Sequence, residues 1–346
     1  MSALDNAIAA RWRRVLIFLC ASTVALLVSV VVSLQLGAAE ITFSDVVNVF
    51  SAHVGLPSQP VSPMVDSILW DLRFPRVITA ILVGAGLAVC GCALQALTRN
   101  PLAEPYLLGI SSGSSAGAVA ALVLGFGGGA VGLTGGAAIG SLCSITLLLL
   151  LLRKSGLDSV RIVLTGVVVG QLFSAISSLI LMAAGDAEAT RAVTFWLLGS
   201  MGAARWGTVA VIAVALAVGL AVIMWYARAL DALGLGTDTA ESIGVQVERT
   251  RLVLLVTTSV VTAAAVAGVG AIGFIGLIVP HAIRFLIGPN HRFLVPCSAL
   301  GGAVLLVITD AICRVAFAPR EVPVGVATAL IGVPIFLVIM KKRGDL

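Results

Sequence analysis

The sequence predicts an all-α membrane protein of ten transmembrane helices, and three observations carry that expectation. Hydrophobic residues fill 60% of the 346 positions and charged residues only 11%, against roughly 25% charged in soluble domains. The apolar residues gather in runs of about 20, the length that crosses a hydrocarbon core about 30 Å thick at 1.5 Å rise per residue. Between the runs stand short clusters of arginine, glycine and proline that break or flank helices.

Taken in order, the runs are 15–36, 77–97, 107–124, 131–152 and 160–182, then 208–226, 252–268, 271–287, 295–312 and 322–340. The first follows Arg11, Arg13 and Arg14 and lacks a small-residue cleavage site of the secretory kind, so it reads as a retained helix. The third and fourth carry glycine at four-residue spacing, Gly109, Gly113 and Gly117, then Gly132, Gly136 and Gly140. Such ridges let helix backbones approach closely. Bundle packing is their expected role, and a substrate path is the alternative if they face a cavity.

The stretch 252–287 could be one long span with a loop, or two short spans around Gly268, Gly270 and Gly273. Charge parity favours two. Arg11, Arg13 and Arg14 stand at one terminus and Lys341, Lys342 and Arg343 at the other, so the positive-inside rule puts both in the cytoplasm and requires an even number of spans. With ten, the outer sites hold six basic residues (Arg73, Arg76, Arg191, Arg205, Arg314 and Arg320), leaving fifteen of the 21 lysines and arginines inside.

The chain is thus a single transmembrane domain over 1–346, with a cytoplasmic N-terminus at 1–14, an external segment at 37–72, a cytoplasmic segment at 227–250 and a cytoplasmic C-terminus at 341–346. The external segment includes the amphipathic piece Ile41 to Phe50, whose Ile41, Val46, Val47 and Phe50 share a face suited to lying on the membrane or on other spans. The six cysteines fall in or beside apolar runs without a disulfide pattern, and read as small buried hydrophobes. A net charge of +5 could suggest nucleic acid, but the basic residues are scattered between spans, so topology explains them and no nucleic-acid partner is expected.

Several kinds of chemistry are missing from the sequence. ATP hydrolysis by this chain would need a loop of the form GxxxxGK[ST], and none of Lys154, Lys341 and Lys342 stands in one. Gly268, Gly270 and Gly273 match GxGxxG, yet they sit between two membrane runs rather than after a strand, which makes them a hinge. His53, His281 and His291 lack partners at metal-ligand spacing; His53 reads as a solvated surface residue, the other two as residues of a cytoplasmic helix end. A proton-coupled carrier places carboxylates in mid-membrane, whereas the middles of the ten runs hold no Asp, Glu, Lys or Arg. Energy for transport must then come from a partner protein.

Three blocks carry a resemblance. The first is Leu72-Arg73-Phe74-Pro75-Arg76, with Gly84-Ala85-Gly86, Gln95, Arg99-Asn100-Pro101-Leu102-Ala103-Glu104-Pro105, Leu108-Gly109 and Ser111-Ser112-Gly113. The second is Gly273-Phe274-Ile275-Gly276-Leu277-Ile278-Val279-Pro280-His281 with Arg284 and Gly288-Pro289-Asn290-His291-Arg292. The third is Asp310, Arg314, Glu321-Val322-Pro323-Val324-Gly325 and Gly332-Val333-Pro334-Ile335-Phe336. Together, and in this order, they resemble the FecCD family of ABC importer permeases, which carry iron siderophores, haem and vitamin B12.

The resemblance implies a type II ABC importer permease fold and a homodimer in the inner membrane with its pore on the dimer axis. It also implies two cytoplasmic ATP-binding subunits and one extracytoplasmic substrate-binding protein. No cofactor is implied, and the chain itself is no enzyme. By the same resemblance Arg73, Arg76 and Arg314 receive glutamates of the binding protein; anchoring at the lipid headgroups is the competing role. Asn100 and Leu102 form part of a cytoplasmic gate, with a plain tight turn as the alternative. Thr165, Gly166, Gly170, Gln171 and Ser174 line the path. Gly234, Gly236, Ala240, Glu241, Ile243 and Gly244 belong to coupling helices that dock in the ATPase cleft, unless the segment is a solvated loop. A ferric siderophore is the expected cargo, haem or cobalamin the alternatives, and a secondary carrier the reading from another class.

Overall fold

The computed structural model describes residues 3–37, 39–125, 129–155, 157–185, 187–318 and 320–343. Residues 1 and 2 of the expected N-terminal segment, and 344–346 of the C-terminal one, lie outside them.

The chain runs through α1 (Ala3–Gln35), α2 (Phe43–His53), α3 (Pro63–Ser67), a π-helical turn (Ile68–Arg73), α4 (Phe74–Thr98), a 3₁₀ turn (Pro105–Leu108), α5 (Ile110–Val123) and α6 (Gly129–Ser155). It continues through α7 (Ser159–Ala184), α8 (Ala187–Leu197), α9 (Trp206–Trp225), α10 (Ala227–Gly234), α11 (Thr237–Ser242), α12 (Val247–Val269), α13 (Ile275–Ile287), α14 (His291–Val315) and α15 (Val324–Arg343). No strand occurs among the described residues. A helix falls on each of the ten predicted runs. Seven are long and apolar enough to cross a bilayer, while Ile110–Val123, Ile275–Ile287 and Val324–Val338 are shorter apolar helices.

Helix α4 is the centre of the bundle, apolar around its whole circumference and buried along most of its length. It packs on α14, α9, α13 and α12. Gly84 meets Gly302 of α14, and Gly91 meets Gly276 of α13, so closely that a Cβ on either α4 glycine would collide with the facing carbonyl. Pro280 lacks the N–H that would bond the Gly276 carbonyl one turn earlier. Gln95 of α4 fills the deficit, its Nε2 donating to the carbonyls of Gly276 and Leu277 at 3.2 Å each.

The glycine ridges pack α5 on α6. Gly117 faces Gly136 and Gly113 faces Gly140, each pair leaving no room for a Cβ, and Ser114 hydrogen-bonds Ser141 across the same seam. Small residues thus bring the two backbones into contact, as the four-residue spacing predicts.

Three local expectations, for the inward face of α2, for His281 and for the cysteines, are corrected. Within the external segment, helix extends back from α4 to Pro63 through the π turn. Pro75 would clash with the Asp71 carbonyl in an unbroken α-helix, and the wider turn before it, closed by Phe74 N–H on Leu69 O, relieves this. Helix α2 exists, with a reciprocal Thr42–Asp45 capping box, but its buried residues are Val46 and Val49 beneath Ile41, while Val47 points outward. His281 stands in the middle of α13, buried, with its ring edge-on to Phe285. Of the cysteines, Cys20 and Cys143 are exposed on outward helix faces, and the other four are buried; all six are free. His53 is exposed, as expected of a surface histidine, and it stacks on Trp70 at 3.9 Å and bonds Asp66.

Candidate functional site

Arg73, Arg76 and Arg314 converge at one end of the bundle, where α1 ends, α4 begins and α14 ends. Arg73 Nη1 donates to the carbonyls of Leu34 and Gln35 at 2.6 and 2.9 Å, and its Nη2 to Ala39 O at 2.9 Å. Arg314 Nη2 donates to Ser33 O at 2.9 Å and to the Ser33 hydroxyl, and its Nη1 to Leu36 O at 3.2 Å. The last carbonyls of a helix have no partner within it and carry its negative pole. Two guanidinium forks therefore cap α1.

Arg76 forms the ionic centre. Its Nε and Nη2 donate to Asp310 at 3.0–3.1 Å and its Nη1 to both oxygens of Glu321 at 3.0 Å. Asp310 also faces Arg314 Nε at 3.4 Å. The expectation of outward arginines within a partner's reach is corrected: the three are 7%, 9% and 8% exposed, since each is consumed in capping or ion pairing. The group that faces outward is Glu321, whose side chain is 49% exposed.

At the opposite end, α10 and α11 make a short helical hairpin. Helix α10 buries Ala227, Leu230, Ala232 and Leu233 against α4 and α14. Arg251 of α12 ties down the hairpin by donating from Nη2 to Thr237 Oγ1 at 3.1 Å and from Nη1 to Leu157 O at 3.0 Å. Gly236 (φ +124°) and Gly244 (φ +88°) turn the chain into and out of α11, in backbone regions that favour glycine. Gly234, Glu241 and Ile243 are exposed, as is Leu235. Ala240 is fully buried, so its part in the hairpin is to seat α11 on the body rather than to meet a partner.

Between the two ends, the chain from Arg99 to Gly109 enters the bundle without α-helix, its one regular piece being the 3₁₀ turn at Pro105–Leu108. Arg99 takes φ +48°, and Asn100 Oδ1 accepts from Leu102 N–H at 2.9 Å, so the tight turn weighed for this stretch is present. Leu102 is exposed and Asn100 half-buried. Further on, the Glu104 carboxylate accepts from Phe274 N–H at 3.2 Å and the Tyr106 hydroxyl from Ile272 N–H at 2.6 Å. These two side chains satisfy the open backbone between α12 and α13, the GxGxxG stretch read as a hinge. Irregular backbone inside a membrane bundle requires such partners.

The five expected path residues on α7 divide. Gly166 is buried and Gly170 half-buried against Leu107 to Gly109, a packing seam. Thr165 is half-buried, while Gln171 and Ser174 are exposed on the outward face. The roles of Glu104, Tyr106, Asp310 and Glu321 were missed by sequence reasoning; an acidic residue near the end of the run 295–312 was the available signal for Asp310.

Comparison with known proteins extends this geometry. The FecCD transport family matches residues 25–342. The cobalamin import system permease of Halobacterium salinarum is 41% identical over 277 residues, covering 80% of this chain and 74% of that one. The iron(3+)-hydroxamate import permease of Bacillus subtilis is 38% identical over 315 residues, 90% and 79% of the two chains. The hemin transport permease of Yersinia pestis is 40% identical over 281 residues, 80% and 84%. Among solved structures, an inward-facing metal-chelate type ABC transporter superposes with a TM-score of 0.82 at 30% identity, covering 94% of this chain and 98% of that one.

Proposed function

Because this chain belongs to the FecCD transport family, as a multi-pass permease of ABC importers of the iron-chelate, haem or vitamin B12 kind, we propose that it carries a ferric siderophore inward across the inner membrane. It does so as one half of a homodimer driven by two cytoplasmic ATP-binding subunits and loaded by an extracytoplasmic binding protein. The observation that carries the reading is the α10–α11 hairpin. Its buried face is fixed to the bundle, while Leu235 and Ile243 stand exposed at its tip, a rigid apolar knob for a partner's groove. Nucleotide-driven movement of that partner would reach the bundle as rigid-body motion.

In this reading the hairpin end is cytoplasmic, as the basic residues expected there favour, and the arginine end faces the binding protein. Carboxylates of that protein exchange with Glu321 for Arg76, with Arg73 and Arg314 holding the platform. The Asn100–Leu102 turn is the cytoplasmic gate, and Gln171 and Ser174 of α7 face the dimer axis. Haem and cobalamin stay as alternative cargoes, since relatives named for both match as well as the hydroxamate one. Uptake of each chelate, offered singly to a strain lacking this chain, tests the cargo. Rescue by cobalamin or hemin but not by ferric siderophores would move the assignment.

A further inference from the structure

We propose that the cavity enclosed by α1, α4, α10, α13 and α14 at the hairpin end binds a phosphate group, supplied by the head of an anionic phospholipid. The cavity is about 580 Å³ and its charged lining is Arg11, Arg99, Arg284, His291 and Asp231. The single carboxylate is already committed, accepting from the His291 backbone N–H at 2.9 Å and facing its Nδ1 at 2.7 Å. Arg11 and Arg99 line the space beside Arg284, whose Nη2 donates to Gln95 Oε1 at 3.2 Å.

Two polar groups in that lining are buried without a hydrogen-bond partner: Nε and Nη2 of Arg11, and Nε2 of His291, a residue only 5% exposed. Arg11 is held in place over the Phe293 ring, 5.4 Å from its centroid, and beside Gly288. Unmet donors at such a site call for an acceptor with several oxygens. The 25-residue helix α14 begins at His291 and turns its positive pole toward the same space.

The position argues for lipid as the source. Helix α1 keeps one face outward, with Leu16, Ile17 and Val24 exposed about one to four turns beyond Arg11. Trp12, exposed and edge-on to Phe293 at 4.7 Å, is the kind of ring that sits at the headgroup level. A basic pocket between membrane helices at that level suits an anionic headgroup.

The test uses the full chain in phosphatidylcholine nanodiscs doped with phosphatidylglycerol, with retained lipid counted by native mass spectrometry. Arg11→Gln should lower phosphatidylglycerol retention about fivefold, whereas Arg13→Gln and Arg14→Gln should not. Arg11→Lys should restore it, which separates lost binding from lost fold. Equal retention in Arg11→Gln and Arg13→Gln overturns the proposal. Inorganic phosphate that binds in lipid-free detergent through Arg11, with no phosphatidylglycerol retained, overturns the lipid source. Unchanged lipid with weakened ATPase association in Arg11→Gln overturns it in favour of an acidic side chain of that partner.

Discussion

Arg76 and Asp310, 234 positions apart in sequence, form a two-point ion pair at 3.0 Å with the carboxylate side chain 1% exposed. The pair fastens the start of α4 to the end of α14 and, through Arg314, to the end of α1.

Removing one partner of a buried pair leaves the other charge without compensation. Asp310→Asn should therefore destabilise the chain by about 3–5 kcal/mol. Thermal unfolding of the detergent-solubilised protein reads this directly, and a melting temperature within a degree or so of the wild type would contradict it.

Glu321 is different because it is half-exposed, so its ion pair contributes about 0–1 kcal/mol. Glu321→Gln should fold normally and free one face of Arg76 for incoming carboxylates. We expect faster association of the binding protein, most clearly at low salt, measured by surface plasmon resonance. Charge reversal of Arg73 or Arg76 should also weaken association, but it breaks the cap of α1 or the pair with Asp310, so Glu321→Gln is the cleaner test of docking.

Gly117 on α5 leaves no room for a side chain opposite Gly136, whereas Gly135 has open space around it. Overpacking typically costs about 1–3 kcal/mol. Gly117→Leu should lower the melting temperature while Gly135→Ala leaves it unchanged.

Gly244 has space for a side chain but φ +88°, a region costing other residues about 1–2 kcal/mol. Gly234 has equal space without that constraint on φ. Gly244→Val should shift the exit from α11 and reduce ATPase co-purification and transport-coupled hydrolysis. Gly234→Ala should preserve both.

Much of the fold was legible in the sequence because hydropathy and lipid thickness act on long windows. Each of the ten runs carries a helix, and glycine spacing marked residues of α5 and α6 for close packing without saying which helices would meet. The π turn before Pro75 and the inward face of α2 depend on single backbone and packing choices that composition averages away. Helix α8 was not expected, since its sequence from Ala187 to Leu197 is short and mixed in character. The arginines were legible as a cluster but not as buried, because their acceptors are carbonyls of α1 and carboxylates of α14 and the turn after it, brought near by the fold alone. For the same reason Ala240 and Gly166 looked like interface or path residues, and only the packing of α11 and of Leu107–Gly109 shows what covers them.

The central claim is that this chain supplies the passage and a partner gripping the α10–α11 tip supplies the drive. The direct measurement is uptake of a labelled ferric siderophore into proteoliposomes holding the chain, with and without its ATP-binding subunit, binding protein and ATP, alongside Ile243→Asp. Accumulation should require all components and collapse in Ile243→Asp, and accumulation by the chain alone, driven by an ion gradient, would contradict the account.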